Sequence, residues 1–146
     1  LHVSQHSFPT RRSSDLEQAA EALQNAYAPY SGFRVGAALL GKSGKTYSAS
    51  NIENASSGAD ICAERAALAK AVASGERDFE AIAIVGDTPE PIAPCGICRQ
   101  SLIEFGKDIL IIMANLNGEA LTASVEDLLP KAFTGRSLGK RDGGGN

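Results

Sequence analysis

Three cysteines place the tightest constraint on how this chain can fold. Cys62 stands alone, whereas Cys95 and Cys98 share the run PCGIC at residues 94–98. Three thiolates at this spacing are typical of a zinc site, so the fold must bring residue 62 next to residues 95–98. A structural zinc usually takes four protein ligands, whereas a catalytic zinc leaves one position for water. The alternative at this point is three unrelated buried cysteines.

The usual fourth ligand, histidine, is missing from most of the chain. The only histidines are His2 and His6, and none lies in residues 17–146. We therefore predict that the fourth zinc position holds water. Glu64, two residues after Cys62, is predicted to move the protons of that water.

The first sixteen residues do not read as the start of the domain. Residues 6–16, HSFPTRRSSDL, resemble the translation of a widely used DNA-sequencing adapter. We predict that residues 1–16 are a non-native tail that lies outside the folded domain. A genuine disordered tail or an expression scar is the alternative. The folded domain is predicted over residues 17–134, and residues 135–146 (GRSLGKRDGGGN) are predicted to be disordered.

Charge and hydropathy exclude several classes of partner. The net charge is −3 with no basic stripe, which does not favour a nucleic-acid partner. No apolar run approaches the ~18 residues of a membrane span, so no membrane partner is expected. An odd number of cysteines without a signal-peptide pattern indicates reduced thiols and a cytoplasmic location.

The order of elements predicts an α/β fold. Helical spacing over residues 17–28 ends at Pro29. Five strands are predicted over residues 33–40, 45–50, 81–85, 109–113 and 119–122. Helices are predicted over residues 62–74 and 96–105, and a capping box at Ser124-x-x-Asp127 starts a last one. Apolar strands alternating with helices indicate one sheet covered on both faces.

Cys62 and the Cys95–Cys98 pair each fall at a predicted helix start, where the helix dipole favours thiolates. Three thiolates on Zn²⁺ leave a net charge of −1, and Arg65 is predicted to offset it by donating to the sulfur atoms. The alternative for Arg65 is an exposed helix cation. For Glu64, it is a carboxylate that interacts only with the helix dipole.

Five motifs in order resemble one family, the small homotetrameric zinc-dependent cytidine deaminases, over roughly residues 17–138. The zinc deaminases combine Cys₃ or His/Cys/Cys ligation, a non-ligand glutamate and a PCxxC run. The matching motifs are PYSxFxVGAA at residues 29–38, NxENA at 51–55, CAER at 62–65, PCGxCRQ at 94–100 and LLPxAF at 128–133.

The resemblance implies a fold, a reaction and a set of contacts. The fold is the three-layer α/β/α fold of cytidine deaminases, with a five-stranded mixed sheet. The reaction is hydrolytic deamination of cytidine and 2′-deoxycytidine in pyrimidine salvage, by a cytoplasmic homotetramer with one Zn²⁺ per subunit. Asn51 and Glu53 resemble the pair that binds the ribose hydroxyls, and Phe33 resembles the aromatic near the nucleoside. Ala63 resembles the position whose backbone N–H holds the pyrimidine carbonyl, and Phe133 resembles an aromatic supplied by a neighbouring subunit.

Each substrate contact has a plainer alternative. Phe33 and Phe133 could be core residues, and Asn51 and Glu53 could be ordinary loop residues.

Two positions depart from the family. Ser57 stands where the family commonly has an aromatic that closes the sugar end of the pocket. Asp60 stands where a small hydroxyl residue is common, and its carboxylate could approach the zinc.

Three other functions stay open at this stage. The chain could deaminate blasticidin S or another aminopyrimidine nucleoside, or it could be an inactive zinc-binding scaffold. A polynucleotide deaminase is disfavoured by the negative charge and the absence of tryptophan.

Overall fold

The computed structural model describes residues 2–3 and 10–140, with side chains from residue 13 onward. The strands are β1 (His2–Val3), β2 (Val35–Gly41), β3 (Thr46–Ser50), β4 (Phe79–Gly86), β5 (Leu110–Asn115) and β6 (Ala120–Ser124). The helices are α1 (Thr10–Leu23), α2 (Ala63–Ala73), α3 (Gly96–Ile103) and α4 (Val125–Leu128). Two short 3₁₀ helices span Ser57–Ala59 and Gly135–Leu138.

The sheet is mixed, in the order β1-β6-β5-β4-β2-β3. Only β4 and β5 pair in parallel among these neighbours, and every other pair is antiparallel. The five strands from β2 to β6 form the predicted five-stranded mixed sheet. The two-residue strand β1, from the predicted non-native tail, adds to the edge of this sheet beside β6.

Helices cover the two faces of the sheet and form separate cores. On one face, α2 and α3 pack on side chains such as Leu39, Ile82 and Ile111. On the other, Ala19 and Leu23 of α1 pack on the alternate positions of the same strands. This is the three-layer α/β/α arrangement, and it follows from strands whose residues are apolar on both faces.

The parallel pair of strands sets the position of Cys95 within the fold. A parallel connection needs a crossover, and α3 supplies it between β4 and β5. Cys95 therefore lies at the end of the loop that follows the carboxyl end of β4. Ligands of open α/β sheets are generally bound at this edge.

Helix α1 differs from its prediction at both ends. It begins at Thr10, inside the predicted non-native tail, and ends at Leu23 rather than near Pro29. Asp15 is buried and accepts a hydrogen bond from the Thr46 hydroxyl at 3.1 Å, so this part of the segment packs on the domain. The helix ends early because Tyr27 is drawn into a backbone bridge with Ile52. The origin of residues 1–16 stays a prediction, and residues 1 and 4–9 lie outside the described residues.

The prediction that residues 135–146 are disordered is wrong for the first residues of this segment. Gly135–Leu138 forms a 3₁₀ helix because Thr134 and Ser137 make a reciprocal capping box. Residues 141–146 of that segment lie outside the described residues. Within the described part of the chain, no helix is long and apolar enough to cross a membrane.

The contact between α1 and the sheet requires glycine at position 36. A Cβ added to Gly36 would lie 1.9 Å from the Ala19 carbonyl oxygen and 2.7 Å from the Leu23 amide nitrogen. Both neighbours are backbone atoms, so the helix itself would have to move. We expect Gly36→Ala to lower the free energy of unfolding by about 1–3 kcal/mol or more, measured by urea denaturation. Gly58→Ala is the matched control, because nothing lies within 4 Å of its added Cβ. Equal stability of the two variants would contradict this packing.

Candidate metal centre

The three cysteines meet at the ends of two helices. Cys62 is the N-cap of α2 and Cys95 the N-cap of α3, with Cys98 in the first turn of α3. The Cys62 and Cys95 sulfur atoms are 3.8 Å apart, and those of Cys95 and Cys98 are 3.6 Å apart. All three lie within 4.8 Å of one another. Tetrahedral zinc with Zn–S bonds of about 2.3 Å needs sulfur atoms roughly 3.8 Å apart, so the donor set fits Zn²⁺.

The cysteine thiols shift one another's pKa values. Hydrogen bonding from the Cys98 thiol lowers the pKa of Cys62, with further contributions from Cys95 and the Arg65 guanidinium. Conversely, donating to Cys62 and burial both raise the pKa of Cys98. A coordinating metal ion deprotonates a bound thiol outright, so all three would act as thiolate ligands.

Arg65 follows Glu64 on α2, and its guanidinium lies close enough to Cys62 to help lower the pKa of that thiol. Burial alone would lower the pKa of Arg65, but its interactions with Cys62 and Cys98 raise it. Its Nη2 donates to the Asp60 carbonyl at 3.2 Å. This hydrogen bond restrains the position of the guanidinium.

Glu64 is the one buried carboxylate on α2. It lies in the first turn and is 5% exposed. Burial, opposed by a backbone hydrogen bond and reinforced by the charge of Cys62, raises the pKa of Glu64 to about 7. A carboxyl group in this range can hold or release a proton near neutral pH, which a general acid–base must do.

The NxE motif is fixed beside the residue that precedes Cys62. Ile52 and Ile61 exchange two backbone hydrogen bonds of 2.9 Å, so residues 51–53 run alongside Ile61. Asn51 accepts from the Val35 amide at 2.9 Å and donates to the Phe33 carbonyl at 2.8 Å. Its amide thus also holds the loop that leads into β2.

Glu53 is held in the same way by residues of the first motif. Its carboxylate accepts hydrogen bonds from the Tyr30 and Ser31 amides and from the Ser31 hydroxyl. The hydroxyl bond, more than the two amides, holds the pKa of Glu53 below its usual range, against the effect of burial. Glu53 is therefore an ionised acceptor. Sequence reasoning assigned no role to Ser31, although Ser31 belongs to the PYSxF motif at residues 29–33.

The remaining predicted contact residues are split between buried and exposed positions. Ala63 is fully buried at the first position of α2, where helix geometry leaves backbone N–H groups without an intrahelical acceptor. Phe33 and Phe133 are 47% and 60% exposed, so neither is a core residue within this subunit.

Of the two departures from the family pattern, Asp60 turns away from the metal position. Its carboxylate accepts from the Asn54 amide at 2.7 Å and is not part of the sulfur cluster. Ser57 lies exposed at the start of the first 3₁₀ helix.

Comparisons with known proteins agree with this geometry. Residues 10–114 match the family described as the cytidine and deoxycytidylate deaminase zinc-binding region. A cytidine deaminase of Halalkalibacterium halodurans is 48% identical over 124 residues, covering 84% of this chain and 94% of its own. A cytidine deaminase of Sporosarcina psychrophila is 44% identical over 124 residues, covering 84% and 91%. A crystal structure of cytidine deaminase from Burkholderia pseudomallei superposes with a TM-score of 0.80 at 50% identity, covering 83% of this chain and 98% of that one.

Proposed function

The chain belongs to the cytidine and deoxycytidylate deaminase family, and on that premise we propose that it is a zinc-dependent cytidine deaminase. It hydrolyses cytidine and 2′-deoxycytidine to uridine and 2′-deoxyuridine with release of ammonia. This makes it a hydrolase of a cyclic amidine C–N bond, and we assign it to pyrimidine salvage in the cytoplasm.

One observation carries the proposal: a buried carboxylate, Glu64, lies two residues from a ligand of a three-sulfur cluster. A structural zinc would need a fourth protein donor, and no described histidine, cysteine or carboxylate joins the three sulfur atoms. Zn²⁺ bound there would act as a Lewis acid that lowers the pKa of a water molecule. This arrangement favours catalysis over an inactive scaffold.

Glu64 carries the proton transfers of the reaction. The water oxygen must add to the ring carbon that bears the amino group, and that group must leave as ammonia. The Glu64 carboxylate takes a proton from the water and delivers it to the ring nitrogen. It then passes the second proton to the leaving amine, so the carboxylate is restored at the end of the cycle.

The sugar contacts lie on the loop beside Cys62. Glu53 keeps acceptor capacity on its carboxylate beyond its three internal hydrogen bonds, and Asn51 keeps one amide hydrogen. We assign these groups to the ribose hydroxyls. A site that expects a diol leaves polar groups unpaired when the sugar is absent, so nucleosides are favoured over free cytosine.

Large apolar side chains that are exposed in the single subunit support a pocket completed by a neighbouring subunit. Tyr30, Phe33, Ile97 and Phe133 are all between 47% and 64% exposed, and exposed apolar groups near a site are typical of an interface. We assign Phe33 to the nucleoside pocket of its own subunit and Phe133 to that of a neighbour. A homotetramer is the assembly that we propose.

Assembly gives a prediction of its own. Light scattering of the purified protein is expected to give about four times the 15.2 kDa chain mass. A monomeric mass together with full activity would refute donation of Phe133 between subunits.

The activity itself is tested by the loss of ultraviolet absorbance when zinc-loaded protein meets cytidine, with uridine and ammonia quantified as products. Equal amounts of the two products are expected. The same assay with blasticidin S tests the alternative substrate. Faster turnover of blasticidin S than of cytidine would show that cytidine is not the preferred substrate. Zinc-bound protein that neither turns over cytidine nor binds a hydrated-pyrimidine inhibitor would be a scaffold.

A further inference from the structure

Helix α3 contributes more than a metal ligand. Arg99, directly after Cys98, donates from Nε to the Pro94 carbonyl at 2.8 Å and from Nη1 to the Leu128 carbonyl at 2.9 Å. Gln100 donates from Nε2 to the Phe133 carbonyl at 2.8 Å. Two consecutive side chains therefore tie the metal-bearing helix to both ends of residues 128–133.

This segment has little regular structure to hold it in place. Residues 132–134 belong to no helix or strand. Lys131 has a φ of 55°, in the left-handed region that non-glycine residues rarely adopt, so the chain turns sharply before Phe133. The ring of Phe133 is 60% exposed and is not anchored in the core of the subunit. The hydrogen bond from Gln100 is thus the contact that fixes the Phe133 backbone to α3.

We propose that Gln100 is a positioning residue for the substrate pocket. It holds the Phe133 backbone at a fixed place relative to the Cys95–Cys98 turn, and so sets where the aromatic ring is presented to a nucleoside in the neighbouring subunit. Arg99 anchors the start of the same segment and the backbone before Cys95. The inference rests on the proposed function, because it assigns a substrate-facing role to Phe133.

A role in stability alone does not account for this contact. Gln100 and Phe133 are both exposed, so their hydrogen bond shields no core and competes with water. Its main physical effect is to restrict one backbone position. The expected consequence is a weaker nucleoside complex in a protein that still folds and binds zinc.

Gln100→Met removes the donor and keeps the length of the side chain. We expect the KM for cytidine to rise roughly threefold to tenfold, the equivalent of one lost hydrogen bond. The kcat is expected to stay within about twofold of the wild-type value, with zinc content unchanged. Gln18→Met is the matched control, because Gln18 is exposed on α1, away from α3.

A double-mutant cycle with Phe133→Ala asks whether Gln100 acts through Phe133. If it does, Gln100→Met raises KM in the wild-type background and adds almost nothing once the ring is gone. An equal rise in both backgrounds would overturn the inference. A fall in kcat with loss of zinc would do the same, since it would indicate damage to the metal centre.

A measurement without turnover separates this inference from the proposed function. With 4-fluorophenylalanine at position 133, the wild type is expected to give one narrow ¹⁹F resonance. Gln100→Met is expected to broaden or split it, and Gln18→Met to leave it unchanged. An unaltered resonance in Gln100→Met would overturn the positioning role. Failure of the proposed function would instead appear as wild-type protein that leaves cytidine intact.

Discussion

Glu64→Gln is expected to lower the kcat for cytidine roughly 10²- to 10⁴-fold, the usual contribution of a positioned acid–base group. Glutamine has nearly the same shape and can still form hydrogen bonds, but it cannot take a proton from water and return it to the leaving amine. Because Glu64 is not one of the three sulfur donors, zinc content should remain one per subunit. Steady-state kinetics at saturating cytidine and metal analysis of the purified variant measure these two quantities.

Glu126→Gln provides the matched control. Glu126 also lies in the first turn of a helix, α4, but it is exposed and stands apart from the sulfur cluster. We expect wild-type kinetics from this variant. If Glu64→Gln retained kcat within about threefold of wild type, the carboxylate would not be the proton carrier of this site.

Loss of one sulfur ligand should have the second largest effect. Cys98 is fully buried in the cluster, and Cys98→Ala leaves two thiolates that cannot enclose the metal ion. Deamination should fall to the background rate. At a zinc concentration about 1,000 times Kd, the wild type gains about 4 kcal/mol of stability, and the variant should lose most of that gain.

Thermal melts with and without zinc measure this linkage. The wild type should melt at a higher temperature with zinc, lose that increment when a chelator is added, and recover it on reloading. Cys98→Ala should melt at the same temperature in all three conditions. Stoichiometric zinc in this variant, with an intact thermal shift, would contradict the assigned ligand set.

Features specified by a few adjacent residues were predictable from the sequence. The predicted starts of the two cysteine-bearing helices are confirmed, with Cys62 and Cys95 as their N-caps. A helix start could be predicted here because it depends on residues that are adjacent in the chain. The capping box between Ser124 and Asp127 is confirmed for the same reason. The apolar runs that became β4 and β5 could be located because both of their faces are buried.

Features that depend on distant partners were not predictable. The end of α1 at Leu23 reflects pairing of Tyr27 with Ile52, which lies far along the chain and has no local signal. Burial of Asp15 depends on Thr46 in β3. The hydrogen bond between Gln100 and Phe133 joins two motifs that the sequence presents separately. Each of these features depends on a contact between residues that are far apart in the chain. Sequence patterns predict only features that depend on residues close together in the chain.

The crossover through α3 also fixes when the protein can acquire its metal. Cys62 is made well before Cys95 and Cys98, and the two helices that carry these residues are oriented only after β2 has paired with β4 and β4 with β5. The three sulfur atoms are therefore held together as one donor set only in the folded sheet. Because such a site rarely exists in an unfolded chain, zinc bound there adds its binding free energy to the stability of the folded subunit.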